Sequence, residues 1–82
     1  MEQKLTSAIE LMSEIEDDFS VPRNIRTKVK EIINYFQDDT SIIGIKTSKA
    51  IEILDNISDD INVPSHTRAQ IWGIMSLLES NE

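Results

Sequence analysis

The chain has 82 residues, 15 acids against 8 bases for a formal charge of −7, and no cysteine. That length makes one domain with a thin stability margin, burying only about 60–65% of its unfolded surface. The charge disfavours nucleic acid and membrane surfaces as default partners, and the missing thiols exclude a disulfide framework or a thiolate metal site.

In chain order, apolar residues at 5, 8, 9, 12 and 15 follow the i, i+3, i+4, i+7 spacing of a helix with one buried face, predicting a first helix over 4–17. The same spacing at 25, 29, 32, 33 and 36 predicts a second helix over 22–37. A third is expected over 42–58, from apolar residues at 50, 51, 54 and 57, with Asp39, Thr40 or Ser41 as its cap. Gly44 then falls inside that helix, at a cost of about 1 kcal/mol against alanine. Residues 67, 71, 74, 75 and 78 predict a fourth over 64–79. No alternating segment is long enough for a sheet, so the fold class is all-α, a compact four-helix bundle. No apolar run reaches membrane-spanning length and Glu2 and Lys4 interrupt the N-terminus, so a cytoplasmic protein is expected.

Residues 8–40 return at 50–82, an ungapped offset of 42, with ten of 33 columns identical; 41–49 link the two copies. Chance would give roughly two or three identities, so the chain reads as two tandem αα-hairpins. Each hairpin has the same corner, Asp-Asp-Phe-Ser-Val-Pro at 17–22 and Asp-Asp-Ile-Asn-Val-Pro at 59–64. Pro22 and Pro64 are expected to open the second and fourth helices, where a missing N–H costs nothing. Ser20 and Asn62 are candidate caps. Arg26 and Arg68 are expected to reach back to Asp17 and Asp18, and to Asp59 and Asp60. Apolar character also persists at Phe19/Ile61.

Candidate chemistry is sparse. An EF-hand register that places Gly44 at position 6 puts Ile43 and Ala50 where oxygen ligands are required, so it fails. His66, the one histidine, has no nucleophile or orienting acid readable beside it and is expected to be a surface or capping residue. No P-loop, dinucleotide fingerprint or zinc spacing occurs. We therefore expect no catalytic residues, no metal ligands and no cofactor. Arg23, Arg26, Lys28 and Lys30 form a basic cluster interleaved with Glu31, read first as a solvated, self-paired face and second as an RNA or phosphate patch.

The two copies differ most on one stripe of their second helices. Thr27, Lys30, Glu31 and Asn34 become Ala69, Trp72, Gly73 and Ser76, a single stripe expected to adjoin the core face, which sets the single tryptophan among small residues. Trp72 is expected to be largely out of water. Packing within the monomer is the slightly favoured arrangement, and an interface with another protein or a twofold mate is the alternative.

Two resemblances follow from these residues. The corner Asp-x-x-Val-Pro-x-x-Ile-Arg-x-x-Val at 18–29, echoed at 60–71, resembles the turn of HEAT-type repeats. The stretches Val-Pro-Arg-Asn-Ile-Arg at 21–26 and 53–79 resemble an uncharacterised family of small archaeal proteins. The second resemblance implies a bundle of four helices from a cytosolic archaeal source and supplies no catalytic residues. Lys46 stands where it would lead one to expect arginine. The function expected is protein binding, to an unidentified partner or a second copy, without enzymatic activity; the alternative is an RNA- or ribosome-associated factor using the basic cluster.

Overall fold

A computed structural model describes residues 2–38 and 42–79. Four helices occupy them: α1 (Glu2–Glu16), α2 (Arg23–Gln37), α3 (Ile43–Ser58) and α4 (Ser65–Glu79). Each lies within two residues of the range its apolar period predicts. Asp39, Thr40 and Ser41, the expected caps of α3, lie outside the described residues. Ile42 holds the N-cap position, and its carbonyl accepts the N–H groups of Ile45 and Lys46 at 3.0 and 3.1 Å. Gly44 lies inside α3, as the predicted range 42–58 requires.

The helices close into a ring: α1 packs on α2 and α4, and α3 packs on α2 and α4. Among the described residues, α1 with α3 and α2 with α4 are not neighbours. A HEAT-type solenoid would instead stack equivalent helices of successive hairpins on one another. The HEAT resemblance therefore stops at the corner, and the all-α architecture is a bundle with short connections.

One apolar cluster fills the ring. Ala8, Met12 and Ile15 of α1 and Ile25, Val29, Ile32 and Phe36 of α2 are buried, with Val21 plugging the corner between them. The buried positions 42 residues on are Ala50, Leu54, Ile57, Val63, Thr67, Ile71, Ile74 and Leu78. The same eight places in each hairpin thus turn inward. Only the Ile25/Thr67 pair changes chemistry, and the Thr67 hydroxyl has no hydrogen-bond partner among the described residues.

Hydrophobicity alone misplaces several side chains. Phe19 and Ile61 are 85% and 90% exposed, so the apolar character shared at that corner position does not serve the core. In the first turn of α3, Ile45 faces out and Lys46 is buried, because Lys46 stands on the stripe 46, 50, 54 and 57 that faces the other helices. A lysine can occupy such a place by laying its aliphatic stem along apolar neighbours.

Candidate interaction surface

The two corners lie at the same end of the bundle, since α1 and α3 end there and α2 and α4 begin there. Each is folded by its second aspartate. The Asp18 carbonyl accepts the Val21 N–H at 3.1 Å, and Asp18 Oδ1 accepts the Ser20 N–H at 2.9 Å and the Ser20 hydroxyl at 2.6 Å. In the second corner the Asp60 carbonyl accepts the Val63 N–H at 3.1 Å, and Asp60 Oδ1 accepts the Asn62 N–H at 2.8 Å. This is the Asx-turn habit of aspartate, and neither corner needs a positive φ. Ser20 and Asn62 donate here to the preceding aspartate. The expectation that Ser20 caps the next helix is corrected, since α2 has no side-chain cap.

Pro22 and Pro64 directly precede α2 and α4. The Pro22 carbonyl receives the N–H groups of Ile25 and Arg26, and the Pro64 carbonyl that of Arg68. The two arginines do not pair with the carboxylates of Asp17, Asp18, Asp59 or Asp60, as the sequence led us to expect. Arg26 Nε donates to the Val21 carbonyl at 3.0 Å, and its guanidinium sits 5.0 Å from the centre of the Phe19 ring. Arg68 is more committed: Nε donates to the Ser58 carbonyl at 2.8 Å, and one terminal nitrogen to the carbonyls of Asp60 and Val63 at 3.1 and 3.3 Å. The last carbonyls of a helix and the turn after it lack intrahelical donors, and a guanidinium fork supplies several at once.

A tie the sequence did not reveal joins the hairpins at this end. His66 Nε2 donates to Asp18 Oδ2 at 3.1 Å, across 48 residues of chain. The Ser20 hydroxyl first, then His66 and the Ser20 N–H, lower the Asp18 carboxyl from 3.8 to about 2. His66 is exposed, as expected of a surface residue, and its bond to Asp18 adds a tertiary role.

The basic cluster divides. Arg23, Arg26 and Lys30 line one shallow groove with Glu16 and Thr27, whereas Lys28 lines another with Glu31, Ile53 and Asn56. Their spacing foretells this, since 23, 26 and 30 share a helical stripe that 28 does not. None of the four makes an ion pair with Glu31 or with the end of α1, so the self-paired reading is also corrected.

Ala69, Trp72, Gly73 and Ser76 are all exposed on the outer side of α4. Trp72 is 58% exposed, so the slightly favoured expectation of burial within the monomer is overturned. The positions were readable through the repeat: their counterparts Thr27, Lys30, Glu31 and Asn34 are polar or charged, and those are exposed too. From Ala69 to Leu78 no residue carries a charge. A Cβ built on Gly73 would meet nothing within 4 Å.

These features define an all-α four-helix bundle whose described residues include no group of His, Cys, Asp and Glu side chains placed to hold a metal ion. Among them no helix is long and apolar enough to cross a membrane. The model of an uncharacterised protein family, UPF0147, matches residues 1–80, and the chain belongs to that family. A family member from the archaeon Desulfurococcus amylolyticus is 38% identical over 79 residues, covering 96% of this chain and 87% of its own. The crystal structure of an unknown function protein, MMP1188, superposes with a TM-score of 0.89 at 40% identity, covering 96% of this chain and 90% of that one. A UPF0147 protein from Thermoplasma acidophilum shares the fold with a TM-score of 0.94 at 23% identity, covering 99% and 95% of the two chains.

Proposed function

We propose that this protein is a non-enzymatic binding module of the cytoplasm that engages another protein through the outer face of α4. One observation carries the reading: the single tryptophan is 58% exposed on a helix whose residues 69–78 carry no charge. A large indole held on a rigid helix loses little side-chain freedom on binding, which is why such residues concentrate binding energy. The tandem hairpins supply the rigid support, and their duplicated corners are structural in this reading.

The test is copurification from a native source with tagged wild type and with Gly73→Glu, a change that open space accommodates. A protein retained by the wild type and lost from the variant supports the reading. Identical protein profiles for the two baits defeat it.

A second reading has its own observation. Arg23, Arg26 and Lys30 line one groove, and Arg26 backs the exposed Phe19 ring, an arrangement suited to single-stranded nucleic acid. Glu16 in the same groove and the charge of −7 weigh against it. It predicts nucleic acid in the wild-type eluate that disappears when those three residues become alanine, with a log–log salt slope of about −2.

A further inference from the structure

Three features of α4 bear on what covers its outer face. The first is a cost without a reason inside the monomer. Glycine in a helix interior costs about 1 kcal/mol against alanine, yet a Cβ at Gly73 would touch nothing. Packing of this chain on itself does not need the gap.

The second is the juxtaposition of a projection and a hollow on one helix. At about 100° per residue, Ala69, Gly73 and Ser76 point away from the buried stripe Thr67, Ile71, Ile74 and Leu78, and Trp72 stands on the shoulder beside them. A helix crossing here is free to approach to the lower end of the usual 8–10 Å, where an indole from one side needs room on the other.

The third is charge. The outer sides of the other helices carry charged residues: Glu10 and Glu14 on α1, Lys28, Lys30 and Glu31 on α2, Lys49, Glu52 and Asp55 on α3. On α4 the Arg68 guanidinium is held by three carbonyls and His66 by Asp18, 69–78 have no charge, and Glu79 in the last turn is the one exposed acid. Two copies of a chain with charge −7 repel, and α4, with Glu79 as its one exposed acid, is the side where they set the fewest like charges against each other.

We propose that the occupant is a second copy of this chain, with the α4 helices crossing about a twofold axis so that Trp72 of each protomer lies over Ala69 and Gly73 of its mate. An isologous contact of this kind needs the projection and the hollow on the same surface, and α4 carries both. The proposal rests on the protein-binding reading above and narrows it to self-pairing. An interface built on one helix pair is at the small end of specific interfaces, so dissociation in the range of about 10–100 µM is expected.

The experiment is sedimentation equilibrium of the purified full chain from about 10 µM to 1 mM, with tryptophan emission followed over the same series. The wild-type mass should rise from 9.4 kDa toward twice that value as the emission moves to shorter wavelength. Added salt should strengthen pairing by screening the net charge. Gly73→Glu and Trp72→Ala should each weaken association at least about tenfold, with helicity unchanged by circular dichroism. A wild type that stays at 9.4 kDa throughout, or a dimer that neither substitution affects, overturns the proposal. The protein-binding reading is judged separately by copurification, so a monomer that loses a foreign partner on Gly73→Glu ends self-pairing alone.

Discussion

Asp18 performs two tasks with one carboxylate: Oδ1 folds its own corner through Ser20, and Oδ2 holds His66 at the start of α4. Its carboxyl titrates at about 2 in the fold against an ordinary 3.8. Since the folded value is the lower one, folding favours the ionised form. The stabilisation is complete above the unfolded value of 3.8 and fades as the pH falls toward 2. Asp18→Asn keeps an acceptor for Ser20 but has no such titration. Melting temperatures of wild type and Asp18→Asn should therefore converge on acidification through this window, and a constant gap would sink the assignment. Trp72 gives a second residue-scale expectation. In dilute solution Trp72→Ala should cost less than about 1 kcal/mol, whereas an indole in the core would cost about 3–5 kcal/mol. Urea titrations at low micromolar concentration distinguish the two.

At the scale of the helices, the corners do similar work with unequal arginines. Arg68 joins the end of α3 to the corner through three main-chain carbonyls, and Arg26 reaches one carbonyl and a ring face. Truncating Arg68 removes the side-chain donor from the Ser58 and Val63 carbonyls, while the Asp60 carbonyl keeps the Val63 N–H. Arg68→Ala should then cost about 1–3 kcal/mol, and Arg26→Ala less than half of that. Chemical denaturation of the two variants provides the comparison; equal costs would mean that the carbonyl bonds are not what these arginines contribute. The seams between the hairpins also differ. α1 and α4 pack closely, while α2 and α3 leave an open groove of about 230 Å³ lined by Glu31, Ile32, Tyr35, Lys49 and Ile53.

Over the whole molecule, the two hairpins share one apolar cluster, and neither has enough of its own to stand alone. Met12 and Leu54 occupy the same place in each hairpin and are fully buried. Met12→Ala and Leu54→Ala should each cost about 2–5 kcal/mol and weaken both hairpins together. Trp72 fluorescence reports the second hairpin, and circular dichroism reports all four helices. The two unfolding curves should coincide for each variant, and separate transitions would show that the hairpins fold independently.

The apolar period placed all four helices, and the repeat identified the corners. These are local properties: a period of 3.6 residues says which side of a helix is apolar, and the offset of 42 says which residues are equivalent. The tertiary structure alone decided that Trp72 faces outward, that Lys46 turns in while Ile45 turns out, and that Arg26 and Arg68 seek carbonyls. It alone brought His66 to Asp18. Hydrophobicity ranks a side chain's preference for leaving water, but the turn of each helix against its neighbours determines which side chains can do so. Hydrogen-bond partners across the ring depend on where helix ends meet in space, a relation no local spacing in the chain records.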